Sequence, residues 1–207
     1  LEKIVWHMDE PNSNATAGAI FLLSQLAKQE VAVVLGGDGG DELFGGYPRY
    51  FYSALISQAQ RFVPSIFRNL ISPKLNLPAN EQRMAAFLCQ KSGLLNRTIN
   101  ADILKQNEAV KYFQQKYLGE HKLPHSDFEK LFMNVDRQSW LADESLLRSN
   151  KMSMAFGLES RVPILDYRLV ELSARIPTAW KISLCQRPSM FQGKRIWRDA
   201  IHEYLPR

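Results

Sequence analysis

Cysteine is scarce in this chain: its 207 residues include two, Cys89 and Cys185, far apart in the sequence. They form no Cys-x-x-Cys pair, which argues against a zinc site and for free thiols in a reducing cytoplasm. The four histidines do not cluster. His121 and His125 are separated by Pro124, which breaks the helix that would align them as metal ligands. No apolar run approaches the ~18–20 residues of a membrane span, and no signal peptide opens the chain. Runs of lysine and arginine are also missing. The net charge of +5 is scattered, which describes a solvated surface and not a nucleic-acid footprint. There is no internal repeat and no low-complexity tract. What remains is ordinary for a globular protein, with 45% hydrophobic and 23% charged residues and enough length for a real core.

Against that background residues 31–47, VAVVLGGDGGDELFGGY, stand out. Val31 to Leu35 carry no charge and read as a strand buried on both faces of a parallel sheet. Gly36, Gly37, Asp38, Gly39, Gly40 and Asp41 follow, and Asp41-Glu42-Leu43-Phe44 reads as the start of a helix. Glycines allow positive φ and a close approach of backbone to ligand. In open α/β sheets ligands bind at the carboxyl ends of strands, so this turn is the first candidate site. It is not a known phosphate cradle, because it has neither Gly-x-x-x-x-Gly-Lys-Ser/Thr nor Gly-x-Gly-x-x-Gly in register. An EF-hand loop is excluded too, since Arg49 and not Glu holds the twelfth position counted from Asp38. Two acids in a glycine turn favour a magnesium ion or a positively charged group over direct phosphate contact.

Taken in order, residues 1–8 (LEKIVWHM) read as a short strand led by Ile4, Val5 and Trp6. Asn14 is the expected N-cap of a helix over about 15–29, with an apolar stripe of Ala19, Leu22, Leu23 and Leu26. The strand at 31–35 then completes a β-α-β unit whose two strands run parallel. Beyond Tyr47 the pattern turns helical: 49–62, a stretch from Val63 to about Leu70, then 81–94 and 101–118, with loops at 72–80 and 121–127. From about Phe128 a long helix carries Trp140, Leu141, Leu146 and Leu147 into a second notable stretch. In it, Asp143 and Glu144 lie within one or two turns of Arg148 and are expected to form a local ion pair. Glu159, Arg161 and Asp166 read as one carboxylate–guanidinium network around the turn at Pro163, with Asp166 also capping a helix over 167–176. A basic amphipathic helix follows at about 193–204.

Together, GGDGGDELFGGYPRY and NKMSMAFGLESRVPILD resemble the synthetase domain of the glutamine-dependent asparagine synthetase family, which shows SGDGGDELFGGY and DRMSMAxGLExRVPxLD in this order. The segment DEPNSNATAGAIFLLSQLAK also fits the stretch this family carries before the acidic loop. Gly36 departs from the family's serine. The resemblance implies an α/β fold, mostly helical here: an incomplete parallel-sheet synthetase domain of the ATP-pyrophosphatase (adenine nucleotide alpha hydrolase-like) type. Residues 1–207 would all belong to that single domain, truncated at both ends.

The resemblance also implies a ligase. ATP adenylates a carboxylate, for which the aspartate side chain is the expected substrate, and ammonia drawn from glutamine displaces AMP to form the amide. By similarity Asp38 lines the pocket of the acyl-adenylate and the incoming amine, and Asp41 is the magnesium ligand. Gly37, Gly39 and Gly40 lay backbone against the nucleotide and substrate, and Arg148 stands beside the substrate carboxylate. The expected cofactors are ATP and Mg2+. The expected partners are small molecules in the cytoplasm, with no nucleic acid and no membrane, and a homodimer is conceivable. The family's upstream Ser-Gly-Gly-x-Asp-Ser loop and its downstream Arg-x-Lys-x-x-Phe segment do not occur, and no initiator methionine opens the chain. The expectation is therefore an internal fragment with little synthetase activity alone. Alternatives are an amidotransferase acting on a sugar acid, a β-lactam synthetase-like enzyme, or a non-catalytic helical partner-binding domain. A β-lactam synthetase usually has tyrosine at the Asp38 position, so Asp38 favours amide transfer.

Overall fold

The computed structural model describes residues 1–10, 14–62, 116, 128–183 and 193–204. The expected elements at 63–70, 72–80, 81–94 and 121–127, and all but one residue of 101–118, lie outside these, as do both cysteines, His121 and His125. The described part is mostly helical with a small parallel sheet of two strands, an α/β arrangement. It divides into two compact units, Leu1–Phe44 with Asp136–Ile176, and Gly45–Val135 with Pro177–Arg207.

The first unit opens with α1 (Glu2–Met8), where a strand was expected. Ile4, Val5 and Trp6 favour a strand locally, but Leu1, Ile4, Val5 and Met8 also follow helical spacing. Packing decides the matter. Met8 is buried with Ala17, Phe21 and Met152, and Ile4, Ile20, Ala155 and Phe156 pack around them. The helix stops at Asp9, which takes a left-handed conformation with φ 62°. Lys151 Nζ closes the end by donating to the Met8 carbonyl at 2.6 Å while pairing with the Asp9 carboxylate at 3.2 Å.

Helix α2 (Thr16–Ala27) forms where expected but buries a different face. Ala17, Phe21 and Ser24 point inward, whereas Ala19 is exposed and Leu22, Leu23 and Leu26 stay 64%, 64% and 63% exposed. Small residues let the helices approach, and the Phe21 ring meets Phe156 edge-on at 4.6 Å. Asn14 serves the helix start from one position before the formal cap: its Oδ1 accepts from the Thr16 amide at 3.2 Å and the Thr16 hydroxyl at 2.8 Å.

Strand β1 (Val33–Leu35) is parallel to β2 (Glu159–Arg161), with Val33 opposite Glu159, Val34 opposite Ser160 and Leu35 opposite Arg161. The expected partner, residues 1–8, is helical, so the β-α-β unit with that segment is not formed. Nor is β1 buried on both faces: Val33 is 39% and Leu35 73% exposed, because the sheet of the described residues supplies one neighbour.

The second unit is built on α3's successor, α4 (Pro48–Phe62), which begins with proline at its first position. Helix α3 itself (Gly40–Phe44) belongs to the first unit. In the second unit Tyr50, Phe51, Met133, Val135 and Ile182 close around Phe132. Arg49 lies over the Tyr47 ring, 4.4 Å from its centroid.

The expected long helix is present as α5 (Phe128–Asp136), a π-helical segment (Arg137–Leu146) and α6 (Leu147–Met154). Gly157, with φ 64°, ends it, and the Leu158 amide bonds back to the Ser153 carbonyl at 3.1 Å. After a 3₁₀ turn (Pro163–Leu165) comes α7 (Tyr167–Arg175), then α8 (Thr178–Lys181) and, in place of the expected 193–204, α9 (Arg195–Ile201).

The network expected around Pro163 splits into two separate exposed pairs. Arg161 Nε pairs with Glu159 at 2.8 Å, and Arg168 with Asp166 at 2.9 Å through both carboxylate oxygens. Each guanidinium reaches a carboxylate two residues away, which leaves none to bridge the turn. Asp166 does cap α7, accepting from the Arg168 amide at 2.9 Å. The Arg168 side-chain hydrogen bonds, with its amide and its charge, hold the Asp166 carboxyl down at about 2. A depressed carboxyl stabilises the fold above its unfolded value of about 4, and that contribution is lost as the pH falls through about 2. Carbon-detected NMR titration should therefore place the Asp166 midpoint near 2, and Arg168→Ala should move it up towards the ordinary range. An ordinary midpoint with Arg168 present would contradict the paired cap.

Candidate functional site

The acidic glycine loop leaves β1 at Leu35 and enters α3 at Gly40. The Gly36 amide donates to the Arg161 carbonyl at 2.7 Å, which extends the β1–β2 pairing by one step. Gly39 then takes φ 90°, in the left-handed region that favours glycine. A Cβ there would lie 2.3 Å from Leu165 Cδ2 and 2.8 Å from its Cγ, so the loop backbone rests directly on that side chain. Gly40 is buried at the start of α3, which Leu43 and Phe44, both 2% exposed, anchor. Asp41 sits half-buried in the first turn of α3, where a negative charge suits the helix N-terminus. Gly37 is exposed, with open space where a Cβ would be.

Asp38 is half-buried, and two hydroxyls from the long helix hold its carboxylate. Ser145 Oγ donates to Oδ1 at 2.8 Å and Ser149 Oγ to Oδ2 at 3.2 Å. Between them Arg148, 7% exposed, pairs with Glu144 and reaches Ser145 Oγ through Nη2 at 3.5 Å. Asn14 Nδ2 donates to Glu144 Oε1 at 3.1 Å, tying the start of α2 into the same chain of contacts. The expected Glu144–Arg148 ion pair is thus formed, and Asp143 is exposed on the helix. The structure brings Asp38 and Arg148 together through Ser145, and it places Gly37, Gly39, Gly40 and Asp41 on the loop that carries Asp38.

Ser145 and Ser149 had drawn no attention in the sequence. Their i, i+4 spacing across Arg148 on a helix was the available signal, since residues so spaced share a face. Asn14 had been read only as a cap. Among the described residues no group of three or more His, Cys, Asp or Glu side chains is arranged to hold a metal ion. An open groove of about 830 Å³ lies beside the site, lined by Leu35, Val162, Pro163, Leu165, Leu169 and Leu172 among others, and not by Asp38 or Arg148. No helix among the described residues is long and apolar enough to cross a membrane.

The family model for asparagine synthase matches residues 1–207. The chain belongs to the asparagine synthase family. It is 30% identical over 194 residues to asparagine synthetase [glutamine-hydrolyzing] 1 of Bacillus subtilis (strain 168), covering 87% of this chain and 30% of that protein. It is 25% identical over 206 residues to asparagine synthetase [glutamine-hydrolyzing] 3 of the same organism, covering 100% of this chain and 29% of that protein. A stretch of 93 residues is 32% identical to an asparagine synthetase [glutamine-hydrolyzing] of Sandersonia aurantiaca, covering 44% of this chain and 18% of that protein. The chain spans about 30% of the length of the first of these curated relatives. No solved structure matches it.

The departure at Gly36 falls where a Cβ has room. A Cβ there would meet Ser160 Oγ at 3.5 Å, Val162 Cγ2 at 3.6 Å and Asp38 Oδ2 at 3.7 Å, all ordinary contacts. Gly39 is different. Replacing it with alanine should cost about 2 kcal/mol, from left-handed strain and the overlap with Leu165. Gly37→Ala, facing open space, should stay within about 0.5 kcal/mol of the parent. Urea denaturation of the two variants checks this contrast, and equal losses would contradict the loop geometry.

Proposed function

We propose that the complete protein is an ATP-dependent synthetase that joins ammonia to a carboxylate, the aspartate side chain being the expected substrate. The observation that carries this reading is the Asp38 carboxylate, held by Ser145 and Ser149 on a glycine turn at the carboxyl end of β1. Ligands of open α/β sheets bind at that place, which also supports an ATP-pyrophosphatase type of architecture for the whole domain. Membership of the asparagine synthase family supports the choice of reaction.

In the proposed reaction a carboxylate oxygen of the substrate attacks the α-phosphorus of ATP, and the bond to the β-phosphate oxygen breaks, so pyrophosphate leaves. Ammonia, drawn from glutamine, then attacks the acyl carbon; AMP leaves, and the amine gives up its proton. Gly37, exposed and with open space at its Cβ position, gives the nucleotide a backbone surface free of side chains, while Gly39 and Gly40, both buried, let the loop take the turn that presents it. Asp38 faces the acyl-adenylate and accepts the positive charge that develops on the attacking nitrogen, and Arg148 supplies the cation of the site.

Asp41 is a half-buried carboxylate in the first turn of α3, and a magnesium ion is typically bound by one or two carboxylates together with phosphate oxygens of the substrate. Asp41 would hold magnesium, which when bound neutralises the charge of the departing pyrophosphate.

ATP–pyrophosphate exchange with aspartate and magnesium, measured on the complete gene product, tests the reading. Exchange should be present, stop on chelation and return with magnesium. Asp41→Asn should lower it by about 100-fold or more, and Asp38→Asn should lower the ammonia-dependent formation of the amide by a similar factor. A folded wild-type protein that shows no exchange with aspartate or with sugar acids would overturn the proposal.

A further inference from the structure

We propose that Ser145 and Ser149 are positioning residues that hold the Asp38 carboxylate in one orientation, and that Arg148 sets the direction of the Ser145 hydroxyl. A carboxylate on a glycine-rich turn has little to fix its rotamer, since its neighbours Gly37 and Gly39 carry no side chain to pack against it. Here one hydroxyl reaches each oxygen, Ser145 on Oδ1 at 2.8 Å and Ser149 on Oδ2 at 3.2 Å, and the plane of the group is set from both ends.

A serine hydroxyl has one hydrogen and can donate in one direction only. A guanidinium is all donor, so in its 3.5 Å contact with Arg148 Nη2 the Ser145 oxygen accepts. Its hydrogen is then committed to Asp38. Arg148 is itself held by Glu144, which takes a further donor from Asn14. Order thus passes from the start of α2 to the loop carboxylate through side chains that are mostly buried, Ser145 at 8% and Arg148 at 7% exposure.

The kinetic half of this proposal rests on the synthetase reading, whereas the contact itself is tested without it. In the complete gene product, thermal unfolding is compared for the parent, Ser145→Ala, Ser149→Ala, Asp38→Ala and the two serine–Asp38 double variants. Each serine variant should lower the melting temperature in the parent and cause a smaller drop in the Asp38→Ala background, close to none for Ser149→Ala and only the loss of the Arg148 contact for Ser145→Ala. Equal drops in both backgrounds would overturn the contact. In ammonia-dependent amide formation each serine variant should lose about tenfold in kcat with aspartate while the KM for ATP stays within about twofold. Ser145→Thr, which keeps the hydroxyl, should recover most of that loss. Serine variants that form the amide at the parent rate would overturn the positioning role. A parent protein without exchange would overturn the functional reading alone, since the melting comparison still decides the contact.

Discussion

A carboxylate mounted on glycine can be aimed only from outside its own loop, and the first unit of this chain is arranged around that constraint. Asp38 takes its fixed partners from Ser145 and Ser149, more than a hundred residues further along the chain. Where those hydroxyls stand depends on the helix that carries them. Met152, fully buried one turn beyond Ser149, packs with Met8, Ala17 and Phe21, so the hydrophobic contact of α1, α2 and α6 sets the position of the serines. Burial of side chains of this size is worth about 1.5–3 kcal/mol each, and a hydrogen bond to a charged group about the same. The loop alone has neither.

The electrostatics of the same helix follow from burial. Arg148 is nearly inaccessible, and a charge brought out of water is tolerated only with a partner and further hydrogen bonds. Glu144 supplies the opposite charge and takes a further hydrogen bond from Asn14, while Ser145 Oγ accepts one from Arg148. The exposed pairs at Glu159–Arg161 and Asp166–Arg168 are of a different kind. Screened by water, they order local backbone and add little to the fold. The same residue types therefore do unlike things on the two sides of β2, and burial separates them.

Sequence reading succeeded where the cause was local. Glycines at the end of an apolar run and aspartate before Tyr167 each state a backbone preference that needs no distant partner. It failed where two local readings competed and packing chose between them. Ile4-Val5-Trp6 suits a strand, yet Met8 finds its core only if the segment coils. The leucines of α2 form the more obvious apolar stripe, but Ala17 and Ser24 permit the close approach to α6 and so define the buried face. The spacing of the serines at 145 and 149 places them on one helix face, but a hydroxyl on a helix does not name its acceptor until the loop is folded against it. The ten-residue π segment, which carries Ser145 near its end, left no mark in the pattern of apolar residues either.

The two stretches that carried the family resemblance lie far apart in sequence and are physically one piece. Val33 to Leu35 pair with Glu159 to Arg161, and the Gly36 amide continues that ladder onto the Arg161 carbonyl. Gly39 takes positive φ with its backbone against Leu165, so the loop can turn only where PIL of the second stretch leaves it room. The second stretch turns in its own way at Gly157, whose carbonyl accepts from Lys28 Nζ at 2.7 Å. That bond ties the end of α2 to the start of β2. The second stretch and the helix leading into it thus supply the contact that makes Gly39 necessary and the hydroxyls that hold Asp38, and the site carboxylate on the loop alone would have no defined direction.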